Sequence, residues 1–184
     1  KKDYETLLAA LEVQDQAWGM CSNKLFYLAV PPVLYSGILN NLSATKLTEP
    51  CGGELGWSRV IVEKPFGSDL NSAQELDRKL TALLKEEQIY RIDHYLAKEM
   101  LQNILAFRFS NNLFEGVWGR GLIENINIRL YEKLGVETRG GFYDSVGALR
   151  DVGQNHLLQI LALLTMDNPG EMTSEAIRSR RAKA

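Results

Sequence analysis

The chain has 184 residues, 45% of them hydrophobic and 24% charged, which suffices for one sizeable core or two small ones and excludes a disordered or low-complexity segment. Its 21 basic and 23 acidic residues leave a net charge of −2, so there is no overall basic footprint for nucleic acid or an anionic membrane, and an anionic ligand must be held by local placement. Cys21 and Cys51 stand in no metal-type spacing and suggest no disulfide scaffold, which makes a reducing cytoplasm the expected compartment and a metal site unexpected. The apolar stretch Leu157–Leu164 falls short of the roughly 20 residues of a membrane span, and Lys1-Lys2-Asp3-Tyr4 leads into no signal-peptide-like apolar segment.

In chain order, residues 4–17 carry Leu7, Leu8 and Leu11, with Trp18 beyond, at helical spacing, which predicts a surface helix with one buried face. Leu25–Val30 is a short apolar run stopped by Pro31-Pro32 and predicts a buried strand, since proline cannot donate to a ladder. Val33–Leu42 places Leu34, Ile38 and Leu42 on one helical face, and residues 43–56 read as a loop, with Cys51-Gly52-Gly53 a turn. Arg59–Val62 is a second strand, after which Ser68 or Asp69 can cap a helix running to about Glu87. This β-α-β-α order predicts a parallel sheet with crossover helices, whose ligands gather beyond the carboxyl ends of the strands.

Ile89–Ile92 is a third strand, and residues 96–107 and 112–118 are helix-like. Ile123, Ile126, Ile128 and Leu130 alternate with polar residues, which predicts a strand with one buried face in an antiparallel sheet. Gly140-Gly141 interrupts the pattern, and Val152–Met166 predicts an apolar helix with Leu157, Ile160, Leu161 and Leu164 on one side. Residues 173–184 end the chain as a short basic helix or tail, no internal repeat is visible, and the texture changes near residue 90.

Both histidines sit in polar clusters. Arg91-Ile92-Asp93-His94-Tyr95-Leu96-Ala97-Lys98 gathers imidazole, phenol and ammonium donors suited to a phosphate, and reads equally as a solvated helix start capped by Asp93. In Arg150-Asp151-Val152-Gly153-Gln154-Asn155-His156 the imidazole is either a packed core group or a base; a carboxylate such as Asp93 on one ring nitrogen would fix the tautomer and strengthen the other. Glu63-Lys64-Pro65-Phe66-Gly67 puts a lysine at the carboxyl end of a strand, facing a ligand crevice or merely turning into a helix. Neither Cys51-Gly52-Gly53 nor Arg139-Gly140-Gly141 matches a dinucleotide fingerprint or a P-loop.

Taken together, Val62-Glu63-Lys64-Pro65-Phe66-Gly67, Tyr90-Arg91-Ile92-Asp93-His94-Tyr95-Leu96-Ala97-Lys98-Glu99 and Arg150-Asp151-Val152-Gly153-Gln154-Asn155-His156-Leu157 resemble the glucose-6-phosphate dehydrogenase family in content, order and spacing, from about Leu25 to about Pro169. The resemblance implies an α/β and α+β chain: a partial Rossmann-like coenzyme domain over residues 1–90, then part of an antiparallel β+α substrate-binding and dimerisation domain over 91–184. It implies a cytoplasmic oxidoreductase that converts glucose 6-phosphate to 6-phosphoglucono-1,5-lactone and reduces NADP, or NAD, in a parent homodimer or homotetramer. The base then corresponds to His156, oriented by Asp93. His94, Tyr95 and Lys98 correspond to the phosphate contacts and Glu132 and Asp151 to sugar-hydroxyl contacts. Lys64 is similar to a lysine touching both sugar and coenzyme, with Pro65 helping to place it and Tyr35 a coenzyme contact. The chain departs from the family at Ala97, where glycine is usual, and in having no counterpart of the glycine-containing first turn before Lys1 or of most of the interface sheet before Ala184, so an internal segment with unpaired sheet edges is expected.

Overall fold

The computed structural model describes residues 1–50, 56–110, 112–133 and 135–184, which fall into two compact units, Lys1–Ile92 and Asp93–Ala184. The expected turn at Cys51-Gly52-Gly53 lies outside the described residues. Cys21 is disulfide-bonded, although neither the number nor the spacing of the cysteines suggested a disulfide scaffold; Cys51 lies outside the described residues.

In the first unit, helix α1 (Lys2–Trp18) precedes strand β1 (Lys24–Leu28), helix α2 (Tyr35–Ala44), strand β2 (Ser58–Glu63), helix α3 (Leu70–Leu83) and strand β3 (Ile89–Ile92). The strands form one parallel sheet in the order β1-β2-β3, in a register that sets Leu28 beside Val62 and Glu63 beside Ile92. Burial alternates along β2: Ser58, Val60 and Val62 are buried, while Arg59, Ile61 and Glu63 are half-buried. The buried face packs on α2 and α3 through Leu28, Tyr35, Leu39, Val60, Val62, Leu80, Leu84 and Ile89. Leu25, Tyr27 and Tyr90 remain exposed, and the Arg59 guanidinium stacks 4.2 Å from the Trp57 ring.

On two helices of this unit the buried positions differ in part from expectation. On α1 the half-buried positions are Tyr4, Leu8, Leu11 and Asp15, with Leu7 and Trp18 exposed. Asp15 belongs to this face because its carboxylate accepts from the Ser22 N–H at 3.1 Å and pairs with the Lys24 Nζ at 3.0 Å, contacts that hold it below the usual carboxylate range. On α2 the buried residues are Tyr35, Leu39 and Leu42 with Ile38 packed beside them, so of the expected face Ile38 and Leu42 turn inward and Leu34 alone is exposed. Pro32–Leu34 forms a 3₁₀ turn, so α2 starts at Tyr35 and Leu34 lies outside it.

Helix α3 starts with a capping box: the Asp69 carboxylate accepts from the Ser72 N–H at 2.8 Å, and the Ser72 Oγ accepts from the Asp69 N–H at 3.1 Å. It ends at Leu83, short of Glu87, because Leu84 turns to an extended backbone and the buried Leu84 side chain joins the core. Gln88 then donates to the carbonyls of Thr48 at 2.8 Å and Ser58 at 2.9 Å, stitching the turn after α2 to the start of β2.

The second unit comprises α4 (Glu99–Phe109), α5 (Asn112–Glu115), α6 (Gly140–Ala148), a π-helical stretch Leu149–Leu157, α7 (Leu158–Thr165) and α8 (Ser174–Arg181). Residues 123–130 run without a ladder, against the expected strand: alternation makes a face, but a strand also needs a neighbour for its N–H and C=O groups, and none stands beside it among the described residues. Gly140-Gly141 opens α6 instead of interrupting the chain, and the break falls at Gly147, whose φ of 72° is open to glycine and costly for other residues. The core here is Leu101, Leu163 and Met166. The buried stripe of the α7 region is therefore His156, Leu163 and Met166 with Ile160 packed beside it, while Leu161, expected inside, is exposed.

Gly67 packs so closely on the first turn of α3 that an added Cβ would lie 2.4 Å from the Ala73 nitrogen. Gly67→Ala must push that turn away, and the expected loss is about 1–3 kcal/mol of stability. A urea midpoint equal to that of the parent chain would show that the contact tolerates a methyl group.

Candidate active site

Asp93 follows β3 in sequence and begins a tight turn rather than a helix: α4 starts only at Glu99, after Lys98. Its Oδ1 accepts from the Tyr95 N–H at 3.0 Å, an Asx turn that fixes the carboxylate. The same oxygen stands 2.9 Å from the Nδ1 of His156. His156 is 2% exposed, at the end of the π-helical stretch, a widened helical geometry that recurs at functional sites. At 2.9 Å the Asp93 carboxylate and the imidazole Nδ1 stand within ion-pair distance of one another.

The aromatic groups close around this pair. The Tyr95 ring stacks on the His156 ring with centroids 3.7 Å apart and planes 21° apart, and the His94 ring meets it edge-on at 5.0 Å. The Lys98 ammonium sits 3.7 Å from the Tyr95 ring centroid, a cation–π placement that brings positive charge to the exposed side of the cluster. Of the residues expected in a site, the fold thus brings together Asp93, His94, Tyr95, Lys98 and His156. Asp151 is half-buried on the π-helical stretch, five residues before His156, and Glu132 is exposed in the irregular segment after residue 122.

The depth of His156 depends on groups that sequence reasoning missed. Arg108 is 6% exposed and donates to the carbonyls of Leu163 at 2.7 Å and Met166 at 2.9 Å, while the Trp118 indole N–H donates to that of Leu164 at 2.8 Å. These bonds satisfy carbonyls that the end of α7 leaves without helical partners. Burial lowers the Arg108 pKa, and the Phe109 ring at 4.4 Å offsets part of the lost hydration. A charged residue inside the apolar run Ile104-Leu105-Ala106-Phe107-Arg108-Phe109 was the available signal. Arg181, near the end of the segment left without a role, is half-buried; burial and then Arg178 hold its guanidinium below the ordinary value, while Asp93 draws it the other way.

In the first unit, Lys64 and Pro65 follow the carboxyl end of β2, joined by a cis peptide bond. Tyr35 is 1% exposed, and its hydroxyl donates to the Glu63 carbonyl at 3.1 Å; burial raises its pKa. The Tyr27 hydroxyl donates to the Glu63 carboxylate. The residue before Lys64 is thus held by two tyrosines. No helix among the described residues is long and apolar enough to cross a membrane.

A parallel sheet with crossover helices, followed by a helical unit with a buried carboxylate–imidazole pair, defines an open α/β chain of the nucleotide-binding class. Family models described as "Glucose-6-phosphate dehydrogenase, NAD binding domain" and "Glucose-6-phosphate dehydrogenase, C-terminal domain" match residues 1–103 and 105–184, so the chain belongs to the glucose-6-phosphate dehydrogenase family. It is 46% identical over 181 residues, 98% of its length, to glucose-6-phosphate 1-dehydrogenase of Chlamydia muridarum, of which it covers 36%. Against the enzyme of that name from Streptococcus pneumoniae it is 49% identical over 88% of its length and covers 32% of the relative. The chain therefore spans about a third of the length of the relatives it matches. Among solved structures, glucose-6-phosphate 1-dehydrogenase from Mycobacterium avium aligns at a TM-score of 0.77 and 44% identity, over 86% of this chain and 34% of that one. A glucose-6-phosphate dehydrogenase in complex with its substrate glucose-6-phosphate aligns at 0.71 and 45%, over 86% and 32%.

The Arg108 clamp is open to a direct test. Arg108→Ala leaves the Leu163 and Met166 carbonyls without their donors in a buried setting and opens a cavity, for an expected loss of about 2–4 kcal/mol in urea unfolding. A loss below about 0.5 kcal/mol, the range of ordinary surface substitutions, would mean that water replaces the guanidinium at no cost.

Proposed function

We propose that this chain carries the base-bearing segment of a cytoplasmic enzyme that oxidises glucose 6-phosphate to 6-phosphoglucono-1,5-lactone with hydride transfer to NADP, the first step of the oxidative pentose phosphate pathway. The observation that carries this reading is the 2.9 Å contact between Asp93 and a His156 that is almost wholly buried. His156 Nε2 takes the proton from the C1 hydroxyl as C1 gives up its hydride, and Asp93 stabilises the imidazolium that forms. Tyr95, stacked on the ring, keeps it from rotating away from the sugar.

His94, Tyr95 and Lys98 hold the phosphate, a role their donors and the positive charge at Lys98 support. Glu132 and Asp151 are read as contacts to the sugar hydroxyls. In the first unit Lys64, Pro65 and Tyr35 serve the coenzyme side, with Tyr35 acting through its bond to the Glu63 carbonyl. The donor set fits a dinucleotide, because an ammonium stands at the carboxyl end of a parallel strand. When bound, the nicotinamide supplies the hydride acceptor. NADP is the preferred reading and NAD the alternative. Residues 1–90 are read as part of the coenzyme domain and 91–184 as part of the substrate and dimerisation domain of a homodimer or homotetramer.

In the full-length enzyme, His156→Asn is expected to lower kcat by about 10²–10⁴-fold. Turnover near that of the parent enzyme would remove His156 as the base. Lys98→Ala is expected to raise KM for glucose 6-phosphate about tenfold or more while changing kcat less. An unchanged KM would take Lys98 out of the phosphate site.

A further inference from the structure

Asp93, His94 and His156 each offer one ligand atom, a carboxylate oxygen or an imidazole nitrogen, and these atoms lie within 4.8 Å of one another. Two imidazoles and a carboxylate form a donor set for zinc, cobalt, nickel and copper, whereas magnesium and calcium favour oxygen shells. We propose that this triangle is a binding site for a zinc-class divalent ion, and that the ion, once bound, closes the site to sugar phosphate by taking the Asp93 and His156 atoms that would serve the reaction. The ion site stands on its own geometry; only its inhibitory effect rests on the function proposed above.

Two of the three ligands are already anchored. Asp93 is held by the Tyr95 N–H at 3.0 Å, and the His156 ring is fixed by burial and by the Tyr95 ring stacked on it. The third, His94, is exposed and can turn its ring at little cost. Zinc bonds of about 2.0–2.2 Å put tetrahedral ligand atoms about 3.3 Å apart, so the triangle has at most about 1.5 Å to close, and rotation of His94 supplies that movement. Three protein ligands leave a fourth position for water, the open arrangement rather than a closed structural site.

The surrounding charges limit the affinity. Arg181 is close enough to Asp93 to feel its charge, and the Lys98 ammonium lies over the Tyr95 ring. Both cations attract a phosphate and repel a divalent ion. The two ligands therefore compete for the cluster with opposite electrostatic demands, and the ion is held reversibly rather than as a permanent part of the fold.

The test uses the purified protein, stripped of metal, titrated calorimetrically with zinc chloride and, by visible absorption, with cobalt chloride in phosphate-free buffer. The expected result is one ion per chain and the intense visible bands of low-coordinate cobalt. His94→Ala, at an exposed position, should keep the circular dichroism of the parent and weaken zinc binding at least about tenfold. No stoichiometric ion on the folded parent, or an affinity unchanged in both His94→Ala and Asp93→Asn, would overturn the site. Glucose 6-phosphate is then titrated with and without zinc. A tenfold or greater loss of sugar-phosphate affinity under zinc supports the closure, and an affinity that zinc leaves unchanged overturns it. Sugar phosphate that fails to bind even the metal-free protein overturns the function proposed above, while the ion titration still decides the site.

Discussion

The second unit depends on the placement of one imidazole beside one carboxylate away from water. Burial of a titratable ring is costly in the absence of compensating polar contacts, and the Asp93 oxygen that stands 2.9 Å from the His156 Nδ1 is itself held by the Tyr95 N–H. Everything around the pair works to keep it where it is. Leu163 and Met166 draw the helix after His156 into the core with Leu101, and Arg108 and Trp118 close the carbonyl end of that helix. A shift of α7 by one turn, about 5.4 Å, would take the imidazole from the carboxylate and the carbonyls from the guanidinium together.

The first unit is organised around a different constraint, the free carboxyl end of a short parallel sheet. With α2 and α3 on one face, the strands direct Pro31–Tyr35 and Lys64–Pro65 toward the end where ligands of such sheets lie. Tyr35 spans the two requirements: its ring is core, and its hydroxyl fixes the carbonyl just before Lys64. Tyr35 thus shapes the turn before Lys64, which is how a buried polar tip commonly works.

Charge is unevenly placed in a chain whose net charge is −2. Lys98 and Arg181 concentrate positive charge at one cluster, while Glu86 and Asp77 neutralise Arg91 nearby in sequence with contacts of 2.9 and 2.6 Å. Local placement outweighs the total because an interaction at a few ångströms exceeds the screened field of distant surface charges.

The sequence by itself determined the elements whose signals are local. Proline after β1, the Asp69–Ser72 cap of α3 and the β-branched run of β2 each follow from backbone chemistry within a few residues. The motifs around Asp93 and His156 were legible for the same reason, since rare polar residues stood out in apolar surroundings. Which face of a helix turns inward was not local. In α7 nearly every position is apolar, so only packing against Leu101 and the Arg108 clamp selected Leu163 and Met166 over Leu161. The alternating run 123–130 had the pattern of a strand and no strand beside it to pair with among the described residues. The contact of Asp93 with His156 and the charge of Arg181 felt at Asp93 join residues more than 60 positions apart, and only tertiary structure decides such pairs, because nothing in either segment's own conformation depends on the other until the helices pack.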